Sequence, residues 1–299
     1  MKTPALSPSA QQFAESILSL RPRLAVFDCD GTLWSGDSGA DFFYWEIERK
    51  LVSEKIAAWA LPRYDDYKAG NVPEEMMCGE MVTINAGIEE RVLEDAGEEF
   101  FATVVAKRIF PEMQELTRAL AAAGCELWAV SSTNVWSVRA GVKRFGIRPE
   151  NVLGAEVYVE NGRATDRLVR VPSGPAKATA IAEVVRRPVD ICFGNSIHDA
   201  DMMAIAKRAF AVNPNPDLEK IAQGAGISNT ATVRDEEALT SVAKRALETA
   251  GPHFIVAKVE PDRVRVKGDP HRTYGRAMRE WFMDAVRHHP DYQAGKKDD

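Results

Sequence analysis

The hydrophobic pattern of the chain alternates between two kinds of segment. Four short runs of apolar residues cover positions 24–27, 126–130, 189–193 and 209–212, and most of the stretches between them repeat apolar residues at helical spacing. Uninterrupted apolar runs of this length, followed by turn or polar residues, are typical of strands buried on both faces of a parallel sheet. The alternation therefore predicts an open α/β fold.

Two of the predicted helices have recognisable ends. Residues 111–123 begin with a proline and are followed by Gly124, and residues 175–186 also begin with a proline. Proline suits the first turn of a helix, and glycine commonly follows the last. Residues 35–110 break the alternation, because they are rich in Trp and Tyr and show helical periodicity without a strand pattern. We expect them to form a helical domain inserted after the first strand.

The rest of the chain predicts a hairpin and a C-terminal extension. Asn161 and Gly162 lie inside residues 156–163, and an Asn-Gly pair between strand-like residues predicts a tight β-hairpin turn. We expect residues 1–34 and 111–245 to form the core and residues 246–299 to form an extension. Its apolar residues predict a strand at 254–256 and a helix at Trp281 and Phe282, before a disordered end.

Composition and charge narrow the range of functions. The chain has 299 residues, of which 45% are hydrophobic and 27% charged, so it can bury a core and is not globally disordered. Its net charge of −6 argues against a nucleic-acid partner. We expect no membrane partner and a cytoplasmic location, because no apolar run approaches about 20 residues and residues 1–23 contain no signal-peptide pattern.

The cysteines and histidines give no metal or disulfide pattern. Cys29, Cys78, Cys125 and Cys192 are scattered along the chain, and three of them lie in or beside apolar runs. We expect reduced thiols that are mostly buried rather than disulfides. The five histidines form no pair at metal-ligand spacing, so the sequence predicts no zinc site.

Two carboxylates directly follow the first predicted strand. Asp28 and Asp30 lie in a turn with Gly31 and Thr32. Like charges this close repel, which raises one pKa or requires a cation, and Mg²⁺ prefers such hard oxygen ligands. One carboxylate could then act as a nucleophile and the other could carry a proton. The alternative is a solvated, Asp-rich turn.

Polar groups that suit an anion occur at two further places. Ser131, Ser132, Thr133 and Asn134 follow the second predicted strand, and their hydroxyl and N–H groups could hold a phosphoryl oxygen or simply cap the next helix. Lys177 lies in the first turn of a predicted helix, where a cation is electrostatically unfavourable unless an anion is near. An ordinary surface lysine remains the alternative.

A fourth candidate segment follows the third predicted strand. It begins with Gly194 and offers the side-chain oxygens of Asn195 and Asp199 to a hard cation. Asp199 also precedes an apolar helix, so it could be a helix N-cap as well as a ligand. Since the carboxyl ends of parallel strands meet at one edge of an open α/β sheet, we expect all four segments to converge there.

Together, in this order, the four segments resemble the haloacid dehalogenase superfamily, and the hairpin before Lys177 is most similar to its phosphoserine-phosphatase-like branch. The resemblance spans about residues 23–215. It implies a Rossmann-like, doubly wound parallel sheet with a helical cap domain at residues 35–110. It also implies a Mg²⁺-dependent phosphomonoesterase that acts on a small phosphate ester through an aspartyl-phosphate intermediate.

The resemblance implies a role for each catalytic residue. Asp28 would attack phosphorus, and Asp30 would protonate the leaving alcohol and then activate water. Thr32 would fix the loop, while Ser131 and Lys177 would hold phosphoryl oxygens. Dehalogenases of the superfamily lack the second acid, so the presence of Asp30 argues against carbon–halogen cleavage.

The resemblance also implies a metal site and a substrate site. The Mg²⁺ ligands would be Asp28, the main-chain carbonyl of Asp30, and Asn195 or Asp199. Further substrate contacts would come from Asp37, Ser132, Thr133 and Asn134. Asn195 is a departure, because this branch often has Asp there, and a neutral amide is a weaker Mg²⁺ ligand.

Residues in and beside the predicted cap indicate a class of substrate. Asp37 lies where phosphoserine phosphatases have a Glu that meets the substrate amine, but residues 76–81 contain no arginine to bind a carboxylate. This argues against phosphoserine itself and favours an amino or trimethylammonium alcohol phosphate, which Trp34, Trp45 and Trp59 could bind by cation–π contact. The alternative for these tryptophans is that they form the core of the cap.

Two other functions would use the same pocket. A phosphotransferase or mutase would form the same aspartyl-phosphate and pass the phosphoryl group to a second alcohol instead of water. A non-catalytic module would bind a phosphorylated ligand without turnover, although the presence of both Asp28 and Asp30 argues against it.

Overall fold

A computed structural model of the chain describes residues 8–214, 229–233, 241–242, 245 and 253–257, which all lie within one compact unit, Met1–Val259. Its strands are β1 Leu24–Phe27, β2 Glu126–Asn134, β3 Val152–Glu160, β4 Arg163–Arg170, β5 Val189–Gly194, β6 Ala206–Val212, β7 Asn229–Val233 and β8 His253–Ala257. The helices are α1 Pro8–Ser19, α2 Ser38–Glu48, α3 Glu54–Lys68, α4 Glu74–Thr83, α5 Glu90–Phe100, α6 Pro111–Ala122, α7 Val135–Val142, α8 Pro175–Val184 and α9 Ala200–Ala204.

The strands form a single sheet in the order β4-β3-β2-β1-β5-β6-β8-β7. The β3–β4 pairing is antiparallel, and the other pairings between the described strands are parallel. The predicted parallel α/β sheet is confirmed, and each of the four predicted apolar runs lies in a strand. The predicted hairpin is also confirmed, with Asn161 at φ 51° and Gly162 at φ 73°.

Alternate residues of the central strand are buried in two separate cores. Ala25 and Phe27 of β1 pack into a cluster with residues of α1, α5, α6 and α7, whereas Leu24 and Val26 pack into a cluster with residues of α8 and α9. This alternation is what a strand covered by helices on both faces requires. Burying a side chain such as Leu24, Val26 or Phe27 contributes roughly 1.5–3 kcal/mol. The helices on both faces therefore stabilise the central strands of the sheet.

The insertion after β1 is helical, as predicted, and it has an apolar cluster of its own. Residues of α2, α3 and α4, among them Phe43, Tyr64 and Met77, form this cluster. The chain enters and leaves the insertion side by side, since Ser35 N donates to Arg108 O at 3.0 Å and Phe110 N donates to Leu33 O at 3.0 Å. We propose that residues 35–110 form a cap domain connected to the core by these two adjacent segments.

Other predictions can be compared only where the structure describes the chain. The strand predicted at 254–256 is part of β8, whereas the helix at Trp281 and Phe282 and the predicted disordered end lie outside the described residues. All four cysteines are described, and each is a free thiol. In the described part of the chain, the helices lack the length and apolar character needed to cross a bilayer.

Candidate active site

The carboxyl ends of three neighbouring parallel strands bring the candidate residues together. β1 lies between β2 and β5, and Phe27, its last residue, is paired with Ala129 and with Phe193. Asp28 follows at once, and its backbone N–H donates to the carbonyl oxygen of Phe193 at 2.9 Å. Asp28 therefore lies at the sheet edge that the sequence predicts.

Lys177 joins two of the predicted carboxylates. Its ammonium group donates to Asp28 Oδ1 at 2.7 Å and to Asp199 Oδ1 at 2.6 Å. All three residues are buried, with exposures of 3% for Lys177, 5% for Asp28 and 0% for Asp199. The surface-lysine alternative is therefore wrong, because the anions that explain Lys177 are two carboxylates of the chain itself.

The pKa of each group in this cluster depends on the charges of the other two. Burial and the negative charge of Asp199 raise the pKa of Asp28 to about 7, although Lys177 opposes the rise. For Asp199 burial also favours the neutral form, but Lys177 and hydrogen bonds outweigh it and lower the pKa. Burial lowers the pKa of Lys177, and the two carboxylates more than reverse this, so the lysine is held as a cation.

The remaining oxygens of the two carboxylates are also bound. Asp28 Oδ2 accepts a hydrogen bond from the hydroxyl of Thr32 at 2.9 Å. Asp199 Oδ2 accepts from the backbone N–H groups of Asn195 and Ser196, each at 2.9 Å, and it closes a capping box with Ser196. Asp199 precedes α9 in the N-cap position, but its side chain caps the preceding turn, whose N-cap is Ser196, and not α9. The predicted helix-cap role is therefore replaced by membership of a capping box, alongside the charged cluster.

Asp30 is held by donors from three parts of the chain. Its Oδ1 accepts from Trp34 Nε1 at 2.6 Å and from the Ser38 backbone N–H at 2.9 Å, and its Oδ2 accepts from the hydroxyls of Ser38 and Thr133, both at 3.0 Å. Burial raises the pKa of Asp30, and these hydrogen bonds oppose the rise. Since Ser38 begins α2, Asp30 also links the sheet edge to the insertion.

Residues 131–134 were predicted to follow the second strand. In the structure they are instead the last four residues of that strand. Ser131 is buried and its Oγ accepts from the Thr133 backbone N–H at 3.2 Å. The Asn134 amide accepts from Trp136 N at 3.2 Å as the N-cap of α7 and donates to Asn85 Oδ1 at 2.9 Å. For Asn134 the helix-capping alternative is therefore the one observed, and the structure does not place this side chain beside Asp28.

Asp37 lies close enough to Asp30 and to two tyrosines of α3 for their charges to interact. Its side chain is exposed, and its Oδ1 accepts from the Ala40 backbone N–H at 2.9 Å as the N-cap of α2. The surrounding chain and the charge of Asp30 raise the pKa of Asp37 to about 6, although the Ala40 hydrogen bond opposes the rise. The charge of Asp37 in turn contributes to the raised pKa values of Tyr64 and Tyr67.

The aromatic residues near Asp37 are tyrosines rather than the predicted tryptophans: Tyr64 is buried in the apolar cluster of the insertion, and Tyr67 is partly exposed. Trp34 is fully buried against Phe101, and Trp45 stacks on Phe42, so both belong to the core; Trp59 is exposed. The cation–π role proposed for the tryptophans is therefore not supported. Tyr64 and Tyr67 were missed because their only sequence signal, a spacing of three residues on a helix, is shared with many core positions.

The donor set at the sheet edge suits a hard divalent cation. In the described part of the chain, no three His, Cys, Asp or Glu side chains are grouped as metal ligands, and Lys177 lies between two of the carboxylates. The predicted set, however, also uses an amide and a main-chain carbonyl. Asn195 lies against the Asp28 loop so closely that a Cβ on Gly31, which has φ +81°, would be 1.8 Å from its Nδ2. Oxygen donors and excess negative charge fit Mg²⁺.

Comparison with protein families gives one match that covers most of this site. A family model described as haloacid dehalogenase-like hydrolase matches residues 25–204. The matched range is more than half of the chain. It includes the segments that carry Asp28, Lys177 and Asp199, together with the whole insertion.

Two curated proteins show what the chain is similar to. It is 26% identical over 214 residues to the histidinol-phosphatase of Neisseria meningitidis serogroup C, which covers 68% of this chain and 96% of that protein. It is also 26% identical over 136 residues to phosphoserine phosphatase SerB1 of Mycobacterium tuberculosis, over 44% of each chain.

Two solved structures share the fold. A protein of unknown function from Bordetella pertussis superposes with a TM-score of 0.58 at 22% identity, over 69% of this chain and 96% of that one. A probable phosphoserine phosphatase from Vibrio cholerae superposes with a TM-score of 0.52 at 19% identity, over 77% and 67% of the two chains. At these identities the likeness supports the architecture and not a substrate.

Proposed function

Because this chain belongs to the haloacid dehalogenase-like hydrolase family and the relatives named above include phosphatases, we propose that it is a Mg²⁺-dependent phosphomonoesterase. In this proposal it hydrolyses a small phosphorylated metabolite through an aspartyl-phosphate intermediate on Asp28. The observation that carries the proposal is the buried group of Asp28, Lys177 and Asp199, joined by hydrogen bonds of 2.7 and 2.6 Å.

This group suits nucleophilic attack on phosphorus. Thr32 and Lys177 each bind one oxygen of Asp28, so they orient the carboxylate and favour its ionised form. Lys177, with Ser131 at the neighbouring strand end, would also hold oxygens of the phosphoryl group. Such positioning and charge neutralisation supply most of the catalysis in phosphoryl transfer.

Asp30 suits proton transfer. It follows Asp28 by two residues, and its burial raises its pKa, which favours a protonated form that can donate to the leaving alcohol. After the alcohol leaves, the same carboxylate would accept a proton from the attacking water. Hydrogen bonds from Trp34, Ser38 and Thr133 would keep the group oriented in both steps.

Asp28, the main-chain carbonyl of Asp30, and Asn195 or Asp199 would hold Mg²⁺. The ion, when bound, would neutralise negative charge on the phosphoryl group. The excess of carboxylates over Lys177 in the buried cluster supports such a site, because burial and the negative charge of Asp199 raise the pKa of Asp28 to about 7 although Lys177 opposes the rise.

An amino-alcohol phosphate is the substrate class we propose, because Asp37 supplies a carboxylate near Tyr67. The ring of Tyr67 is partly exposed and could contact an organic cation. The name of the Neisseria relative, histidinol-phosphatase, supports the same class, because histidinol phosphate is the phosphate ester of an amino alcohol.

A panel of phosphate esters, assayed with the intact protein, tests both the proposed activity and the proposed substrate class. We expect release of inorganic phosphate from amino-alcohol phosphates in the presence of Mg²⁺, and a loss of at least about 1,000-fold in kcat for Asp28→Asn. Asp166→Asn, at an exposed position of the hairpin, is the matched control and should keep full activity. Turnover confined to sugar phosphates would exclude the amine, and full activity of Asp28→Asn would exclude the nucleophile.

A further inference from the structure

Glu74, the first residue of α4, makes contacts that its sequence position does not predict. An acidic residue in the first turn of a helix usually faces solvent and interacts with the helix dipole. Here the carboxylate is only partly exposed, at 24%, and each of its oxygens contacts a different loop. Glu74 Oε1 accepts from the hydroxyl of Ser173 at 2.6 Å, and Oε2 lies 3.0 Å from His198 Nε2.

The two loops that Glu74 contacts carry Lys177 and Asp199. Ser173 starts the turn that leads into α8, where the Lys177 backbone N–H donates to Gly174 O at 3.0 Å. His198 is next to Asp199 in the short turn Ile197–Asp199. Inside the protein the same loops are joined by the 2.6 Å hydrogen bond from Lys177 to Asp199. The loops are thus connected twice, once through the buried ion pair and once through Glu74.

Glu74 also connects this pair of loops to the insertion. α4 packs against β2, and its Val82 is buried in the same apolar cluster as Leu127 and Ala129 of that strand. On the same helix, a Cβ on Gly79 would be 3.1 Å from Leu168 of β4, so α4 packs closely on the hairpin. α4 is therefore fixed relative to the sheet edge, and its first residue can hold the two loops at a set separation.

We propose that Glu74 is a positioning residue, whose carboxylate sets the separation of the loops that carry Lys177 and Asp199. The expected effect of Glu74 on kcat rests on the proposed function, whereas its expected effect on the separation of the loops does not. Glu74 does not bind the substrate in this proposal, because both of its oxygens are already bound by the core loops. Asp37 remains the carboxylate that faces the substrate.

The kinetic test compares two adjacent acidic residues of α4. Glu74→Ala should lower kcat at least about tenfold while changing KM less than threefold, because displaced catalytic groups slow the chemical step. Glu75→Ala removes the same charge from the same helical turn at an exposed position, and it should stay within twofold of the unchanged protein. Glu74→Gln keeps an acceptor for Ser173 and should fall between the two. A change in KM alone would overturn the proposal, since it would place Glu74 on the substrate.

Hydrogen exchange without substrate tests the same proposal independently of activity. Glu74→Ala should speed exchange of the backbone amides of Lys177, Asn195 and Ser196, which report on the two loops. Ser173→Ala should speed exchange at Lys177, and the double variant should add little there, because the two residues form one contact. Unchanged exchange in Glu74→Ala, as in Glu75→Ala, would overturn the proposal. If the protein released no phosphate from any ester, the proposed function would fail while this test still decided the role of Glu74.

Discussion

At the scale of single residues, the site depends on balancing buried charges. Lys177 is the cation that two buried carboxylates share, and each of them would otherwise be buried without a partner charge. Removing one member of a buried ion pair typically costs about 3–5 kcal/mol, because the remaining charge stays desolvated. The stability of the folded protein and the proposed catalysis therefore depend on the same side chain.

Lys177→Met tests this balance. The substitution keeps the length of the side chain but leaves Asp28 and Asp199 without their cation, so we expect a loss of about 3–5 kcal/mol in the free energy of unfolding at pH 7. Urea denaturation measures it. Lys207→Met is the control, since Lys207 pairs with Asp190 at an exposed position and should cost less than about 1 kcal/mol. Equal losses in the two variants would contradict the assignment.

Glu46 is a buried carboxyl with no cationic partner among the described residues. It is fully buried on α2, and its Oε2 accepts from Asn85 Nδ2 at 2.6 Å, whereas its Oε1 has no hydrogen-bond partner in the described part of the chain. Burial raises the pKa of Glu46 to about 8, although the Asn85 hydrogen bond opposes the rise. The folded protein thus binds a proton that the unfolded chain, with a pKa of about 4.3 for Glu, releases.

This difference predicts a pH-dependent effect of Glu46→Gln. The stability contributed by protonated Glu46 is complete below about pH 4 and is lost as the pH rises to about 8. Relative to the unchanged protein, the variant should therefore gain stability steadily over this range, by on the order of 5 kcal/mol at pH 8. Urea denaturation at pH 5, 6.5 and 8 measures it. Glu48→Gln, at an exposed position of the same helix, should show no such trend, and parallel curves for Glu46→Gln would refute the reasoning.

At the scale of elements, close backbone contacts set where the helices of the insertion meet the core. Gly97 of α5 lies against α7, and a Cβ there would be 2.7 Å from the carbonyl oxygen of Trp136. Backbone atoms cannot move aside as a flexible side chain can. The absence of a side chain at position 97 is therefore what lets α5 approach α7.

Gly97→Ala should destabilise the protein although alanine is the better helix former. Propensity alone predicts a gain of about 1 kcal/mol, but the contact with Trp136 should reverse it to a loss of roughly 1–3 kcal/mol. Gly79→Ala in α4 is the matched comparison, because its Cβ would meet a leucine side-chain methyl at 3.1 Å and should cost less. Thermal or urea unfolding of both variants measures the difference, and a gain for Gly97→Ala would contradict the packing argument.

The elements also show what the sequence can and cannot predict. Strands such as β1 and β5 were predicted because a buried parallel strand is apolar throughout, and the segments of Asp28 and Asp199 follow them directly. The end of β2 was placed wrongly because Thr133 and Asn134 are polar residues whose partners, Asp30 and Asn85, lie far away in the chain. No local pattern records such contacts.

The same limit applies to the tyrosines near Asp37 and to Glu74. Asp37 was predicted from a motif near Asp28, but Glu74 contacts Ser173 and His198 only because α4 packs on the sheet. Tyr64 and Tyr67 lie on α3, which packs on α4. Their sequence neighbourhood is that of an ordinary amphipathic helix. Their positions depend on tertiary packing, which hydrophobic periodicity does not specify.

At the scale of the whole molecule, the charged cluster connects segments that are far apart in sequence. Asp28, which follows β1, is separated by 149 residues from Lys177, which lies in the first turn of α8. A ligand that binds this cluster in the folded protein therefore stabilises the entire sheet, by about 2.7 kcal/mol at a concentration 100 times its Kd.

Thermal unfolding with Mg²⁺ and beryllofluoride, which mimics an aspartyl-phosphate, tests this coupling. We expect the two together to raise Tm by several degrees and to raise it little when Mg²⁺ is removed with EDTA. Asp28→Asn should abolish the rise, since it lacks the carboxylate that binds the mimic. An equal rise in the variant would place the ligand elsewhere.

The order of β7 and β8 at one edge of the sheet limits when that edge can form. β8 lies between β6 and β7, although β7 precedes it in the sequence, and β7 is paired with β8. During synthesis β7 emerges from the ribosome first and has no neighbour to pair with until residues 253–257 follow. This edge of the sheet therefore cannot be completed until residues 253–257 have been synthesised, after all the residues of β1 to β6.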